Sequence, residues 1–383
     1  MQKTNRNIAL MLVLMLLLVL MGCSTPVSNS TVQGDESESA NSLKVKFFCK
    51  NLGDLSYNDK AWEGVQASAE KYGWIAEVVE CGADTATYEN AFLDTCESGE
   101  YDVIITQAGY GMSDLCIKYA PDYPDMKFIV YDMVFGTDIS EIENMFGVSF
   151  KQNEGAYLAG ALAGKLTTSN QVGVFLMGDV PAVNDYGTGY IAGVRAANEE
   201  ATVTVAYGGG IADATKLQEI SSAMFDRGID VIFGCSSSCF PGLARETIKR
   251  GGFDAGLYTI GVDSDMWVTY EASENPQYAD VIITSAMKRT DSAVQYCCDK
   301  MMDGTIEWGT IDELGIAEGG TGIADNEYYR SQVPEDVLVY IDELQEQILN
   351  GELVPTSYYD FSDYDAFAAW RSEMSSIDEN SIS

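Results

Sequence analysis

The sequence predicts an α/β protein of two lobes, each a parallel sheet flanked by helices, and three features predict it. From Lys44 onward, short apolar runs alternate with stretches of helical period. Those runs are continuously apolar, as strands become when helices cover both faces of a parallel sheet. The alternation then restarts near Met145, which makes room for a second sheet.

Ahead of this body, Lys3 and Arg6 precede an unbroken apolar run, Ile8 to Met21, followed by Gly22-Cys23. A basic start and an apolar stretch shorter than the roughly 20 residues of a membrane span form a signal-peptide pattern. Leu20-Met21-Gly22-Cys23 resembles a bacterial lipobox, in which the cysteine is lipidated and becomes the first residue of the mature chain. From Ser24 to Ser42, Ser, Thr, Asn, Asp and Glu predominate, a composition that buries no core and reads as a solvated tether.

In the first half of the body, strands are predicted at Lys44–Cys49, Ile75–Cys81, Tyr101–Thr106 and Lys127–Asp132. Helices are predicted at Ser56–Tyr72, Tyr88–Ser98 and Ser113–Tyr119. Trp62, Val65, Ala69 and Tyr72 share one helix face, and Ser56 is a candidate cap. The second half gives strands at Met145–Phe150, Gln171–Met177, Thr202–Tyr207, Val231–Cys235, Leu257–Val262 and Val281–Ala286. Its helices are expected at Glu154–Lys165, Gly187–Asn198, Asp213–Arg227, Pro241–Arg250, Thr290–Asp303 and Val333–Asn350.

Composition removes whole classes of function. With 22 Lys+Arg against 59 Asp+Glu the formal charge is −37, which opposes nucleic-acid phosphates. Histidine is absent, so His-dependent triads and the usual zinc sites are excluded. The eight cysteines after Cys23 show no metal-ribbon spacing, and several end apolar runs, so most are expected as buried thiols. Gly187, Gly189 and Gly193 miss the dinucleotide spacing and fit a close-packed helix. Ala156, Gly160 and Ala163 likewise suggest tight helix–sheet packing. No metal or cofactor is implied.

Open parallel sheets bind ligands beyond the carboxyl ends of their strands, so the residues leaving each strand carry the chemistry. These exits spell a family pattern. Gly53-Asp54-Leu55-Ser56-Tyr57-Asn58-Asp59-Lys60-Ala61-Trp62-Glu63-Gly64 resembles the first loop and helix of the basic membrane protein family. Tyr101–Ile105, Tyr123–Asp132, Glu154–Gly160, Gly261–Asp265 and Thr284–Arg289 follow in that family's order, so the resemblance runs from about Lys44 to Thr356. The family comprises lipoprotein substrate-binding components of ABC importers, including purine nucleoside receptors.

The resemblance implies a periplasmic-binding-protein type I fold, two lobes closing on a nucleoside-like ligand delivered to a membrane permease and ATPase. It places the protein on the extracytoplasmic face of the bacterial cell membrane, held through lipidated Cys23, with no enzymatic turnover. The expected organisation is a signal peptide over 1–23, a tether over 24–43 and an acidic C-terminal tail over 361–383. Between them, the N-terminal lobe is assigned 44–135 plus 265–305, and the C-terminal lobe 136–264 plus 306–360.

For the ligand site, Asp132 and Asp263 are expected to grip vicinal hydroxyls, which a carboxylate accepts through short charge-assisted bonds. For Asp132 the competing role is a turn cap. Tyr57 offers a stacking surface and Asn58 both a donor and an acceptor, although Tyr57 could simply pack on its lobe. Lys288 faces either the ligand or an aspartate, or solvent. Two departures from the family pattern matter. Gly209-Gly210-Ile211-Ala212-Asp213 lacks an aromatic, leaving Ile211 as an apolar lid, and Cys235 to Gly242 offers Ser237 and Ser238 where glycines are usual. Phe240 is a candidate to restore the missing ring. The alternatives are a sensory co-receptor for the same ligands and an extracellular nucleoside hydrolase using paired carboxylates.

Overall fold

The computed structural model describes residues 42–82, 86–210 and 213–377, so the lipobox, most of the tether and Ile211 lie outside the described residues. The first half of the body runs β1 (Lys44–Cys49), α1 (Tyr57–Tyr72), β2 (Ile75–Glu80), α2 (Ala86–Ser98), β3 (Val103–Gln107), α3 (Met112–Tyr119), β4 (Lys127–Tyr131) and β5 (Met145–Phe150). Next come α4 (Gln152–Leu166), β6 (Gln171–Leu176), α5 (Pro181–Ala197), β7 (Thr202–Tyr207), α6 (Ala214–Asp226), β8 (Val231–Cys235), α7 (Phe240–Lys249) and β9 (Tyr258–Asp263). The chain continues through α8 (Met266–Glu271), β10 (Ile282–Lys288), α9 (Thr290–Met302), β11 (Ile311–Leu314) and β12 (Thr321–Ile323). It finishes with α10 (Glu327–Gln332), α11 (Glu335–Leu349), α12 (Tyr364–Met374) and β13 (Ser376–Ile377). No helix among the described residues is long and apolar enough to cross a membrane.

The strands form two sheets, β11-β5-β4-β3-β1-β2 and β12-β10-β9-β8-β6-β7-β13. All pairings are parallel except β10 with β12. The order β2-β1-β3-β4-β5 of the first sheet recurs as β7-β6-β8-β9-β10 in the second. Each lobe is therefore the same parallel motif, and β4 and β9 occupy equivalent places.

The chain crosses between sheets after β5, after β10 and between β11 and β12, and these crossings correct the expected lobe boundaries. β5, expected in the second lobe, pairs with β4 through Phe128 and Met145. β9 and β10 pair with each other in the second sheet, so the first lobe does not take up the chain at 265 but regains it at α9, which packs on α1. β11, expected in the second lobe, extends the first sheet beside β5. Apolarity marks a buried strand but not the sheet that receives it.

The C-terminal residues also depart from expectation. The acidic stretch after 360 forms α12 and β13, which pairs with β7. Arg371, only 6% exposed, lies over the rings of Tyr207 and Phe367 and donates to the Tyr207 hydroxyl. Phe361 packs on Phe367 and Trp370. This is a docked element of the second lobe.

The small-residue stripe joins helix to helix rather than helix to sheet. A Cβ on Gly160 would stand 2.1 Å from the Tyr190 carbonyl, and one on Gly193 2.0 Å from that of Tyr157. Only glycine lets α4 and α5 approach this closely. Cys49, Cys96, Cys116, Cys235, Cys239, Cys297 and Cys298 are buried. Burial pushes the Cys96 thiol up to about 12, so it packs as a small apolar group.

Candidate ligand-binding site

The loops leaving the carboxyl ends of the strands carry most of the backbone strain. Among the described non-glycine residues, positive φ occurs at Leu55, Tyr110, Asp132, Asp263 and Asn170, and the first four lie in such exits. Asp132 (φ 61) follows β4 and Asp263 (φ 67) ends β9, the equivalent strand. Aspartate tolerates this region better than most residues, yet the conformation costs on the order of 1 kcal/mol and persists where surrounding structure enforces it.

Lys288, at the end of β10, joins the two aspartates. It is 5% exposed and its Nζ lies 2.8 Å from Asp132 Oδ1, an ion pair between the second lobe and the first. Burial opposes its charge, but Asp132 and Asp263 outweigh that and hold the ammonium above the ordinary lysine value. At Asp263, burial pushes the carboxyl from an ordinary 3.8 up to about 6, with Lys288 opposing and Asp132 and Asp54 adding to the rise. A second contact also crosses between lobes, from Ser56 Oγ to Ser264 Oγ at 3.0 Å. The lobes are thus in contact at two points, within the carboxylate cluster and at the Ser56–Ser264 pair.

Aromatic rings enclose this cluster. The Tyr57 hydroxyl donates to Asp132 Oδ2 at 3.1 Å, and burial beside Asp132 pushes its phenol well up. The Tyr186 hydroxyl approaches Asp263 Oδ1 at 3.4 Å. Lys288 Nζ stands 5.4 Å from the centres of both the Phe150 and Tyr186 rings.

Asn58 is held in place by Asp54. Asp54 Oδ2 accepts from the Asn58 backbone N–H at 2.9 Å and from its Nδ2 at 2.8 Å. Asp54 Oδ1 takes the N–H groups of Ser56 and Asp59. Asp54, not Ser56, therefore satisfies the start of α1, because the Ser56 hydroxyl is spent on Ser264 and makes no cap. Among the described residues, Asn58 Oδ1 is buried without a hydrogen-bond partner, so its acceptor capacity is unused.

Of the sequence-derived candidates, Tyr57, Asp132, Asp263 and Lys288 come together, with Asn58 one helical position from Tyr57. Ser237 and Ser238 lie at the exit of β8. Ser238 is exposed and its Oγ bonds Ser236 Oγ at 3.4 Å, and among the described residues no hydrogen bond links either serine to the carboxylates. Phe240 cannot supply a ring, since it is fully buried and packs on Tyr270.

Sequence reading missed Phe150 and Tyr186. Phe150 ends β5, whose exit was assigned to the wrong lobe. Tyr186 lies inside α5, which begins at Pro181 rather than Gly187, and proline in the first turn was the available signal. A groove of about 290 Å³ also lies beside Phe135–Ile139, Ser149, Gly309, Ile311 and Glu313, outside the carboxylate cluster.

Comparison with known proteins covers nearly the whole body. The family model described as "ABC transporter substrate-binding protein PnrA-like" matches residues 44–356. The chain is 29% identical over 365 residues to the CD4+ T-cell-stimulating antigen of Listeria innocua, covering 92% of this chain and 98% of that protein. It is 26% identical over 282 residues to the ABC transporter nucleoside-binding protein BmpA of Lactococcus lactis, covering 71% and 78%. Basic membrane protein A1 of Borrelia garinii is 29% identical over 343 residues, covering 89% and 95%. Among solved structures, an ABC transporter solute-binding protein from Aeropyrum pernix superposes with a TM-score of 0.72 at 24% identity, over 87% of this chain and 97% of that one. That likeness supports the periplasmic-binding-protein type I fold.

Proposed function

Because the chain belongs to the PnrA-like family of ABC transporter substrate-binding proteins, we propose that it captures a nucleoside between its lobes and delivers it unchanged to a permease and its ATPase. The observation that carries this reading is the Asp132–Lys288–Asp263 cluster, which draws charged groups from both lobes to one point. Carboxylates accept from the vicinal hydroxyls of a ribose, and Lys288 keeps the paired negative charge tolerable. The Tyr57 and Tyr186 rings offer faces to the base, and the unpartnered Asn58 Oδ1 accepts from its edge. The name of the Lactococcus relative, a nucleoside-binding protein, supports the same ligand class.

A ligand that touches both lobes stabilises the closed arrangement by its preference for that state. Lipidated Cys23 would hold the body at the extracytoplasmic face of the membrane. The test is a thermal-shift panel of nucleosides, free bases, sugars and amino acids. At one hundred times Kd a nucleoside adds about 2.7 kcal/mol, expected as a rise of roughly 5 °C or more in Tm. Mass spectrometry should recover the nucleoside intact. A shift with amino acids alone, or release of free base, would overturn the reading.

A further inference from the structure

The family match ends at residue 356, and the segment that follows docks on the binding end of the second lobe. Just before that limit, Asn153 Nδ2 donates to the Pro355 carbonyl at 2.9 Å. Asp185, buried in the first half of α5, then accepts from Ser357 Oγ at 2.6 Å and from the Tyr358 N–H at 2.8 Å. Farther on, the Tyr364 hydroxyl donates to Asp179 at the exit of β6, and Arg371 and β13 fix the segment to β7. All of these anchors belong to the second lobe.

Tyr359 of the segment reaches the other lobe. The Tyr359 ring packs on that of Phe135, with centroids 5.3 Å apart. Phe135 belongs to the loop after β4, three residues beyond Asp132, and is 48% exposed despite this contact. Burial pushes the Tyr359 phenol up, with Asp185 of the second lobe and Asp132 of the first adding to the rise. Tyr359 therefore stands between the lobes, against the loop that also carries Asp132.

We propose that the C-terminal segment is a latch, in which Tyr359 on the second lobe grips Phe135 on the first and so sets how long a bound ligand is retained. This rests on the nucleoside reading for its ligand, but the latch itself is a contact between lobes. Opening the lobes separates the two rings. An aromatic pair lost only on opening slows dissociation while leaving association nearly untouched. Tyr359 touches no ligand in this account and acts as a positioning residue.

The test measures nucleoside association and dissociation on the full chain for wild type, Tyr359→Ala, Phe135→Ala, the double variant and Tyr359→Phe. Each alanine variant should dissociate about ten-fold faster with association within two-fold of wild type. The double variant should be no faster than either single, and Tyr359→Phe should retain most of the slow dissociation. Unchanged dissociation, or effects of the two alanine variants that simply multiply, would overturn the latch. Should wild type bind no nucleoside, the ligand reading fails on its own. The latch is then judged by small-angle scattering of the unliganded chain, where Tyr359→Ala must enlarge the radius of gyration and an unchanged radius refutes it.

Discussion

Replacing Lys288 with Met is expected to lower Tm on the order of 10 °C at pH 7.5 and to abolish nucleoside binding. Lys288 is buried 2.8 Å from Asp132 and lies in the field of Asp263. Methionine fills a similar volume but leaves two carboxylates facing each other without a cation. Breaking a buried pair in this way costs about 3–5 kcal/mol, and in a body of this size each kcal/mol moves Tm by roughly 2–4 °C. Part of the loss should recover on acidification, because protonating one carboxylate removes the repulsion. An unchanged Tm would mean that the ion pair contributes nothing.

Asp263→Asn should separate stability from binding. Asparagine adopts positive φ as readily as aspartate, so the strand exit keeps its shape. In the folded protein the Asp263 carboxyl titrates near 6, above its ordinary 3.8. The folded state therefore holds a proton that the unfolded chain has already released, and stability falls as pH rises from about 4 to 6. That displacement corresponds to at most about 3 kcal/mol, less where water reaches the group.

Above pH 7 the variant should match or exceed wild type in Tm. Its affinity should fall about 100-fold, since two bonds to a charged acceptor become bonds to a neutral one. Wild-type affinity should weaken progressively below pH 6 as Asp263 takes up its proton, and the variant should lose this dependence. A variant that binds as well as wild type would remove Asp263 from the site.

The strands were legible because burial on both faces makes them continuously apolar, as in Met145–Phe150 and Val231–Cys235. Their destinations were not. β5 and β10 are equally apolar, and only pairing with β4 and β9 decides their lobes. β11, Ile-Asp-Glu-Leu, is short and half polar and carries no strand signal. At the C-terminus acidic composition hid an aromatic at every third position, Tyr358, Phe361, Tyr364, Phe367 and Trp370, which supplies that segment's packing.

For the candidate site, the strand-exit rule pointed to Asp132 and Asp263 and the resemblance to the family pattern pointed to Lys288, and the structure brings the three together where the ends of β4, β9 and β10 meet. The strand-exit rule failed for Phe240, where a residue close to a strand exit turns into a helix face and is buried against Tyr270. It also overlooked Tyr186, which reaches the cluster from within a helix.

The most direct test of the central claim is calorimetric titration of the protein with inosine and with 2′,3′-dideoxyinosine. If carboxylates from the two lobes grip the ribose hydroxyls, inosine binds one to one, and the dideoxy analogue binds at least 100-fold more weakly. Equal affinity for the two compounds would contradict the account.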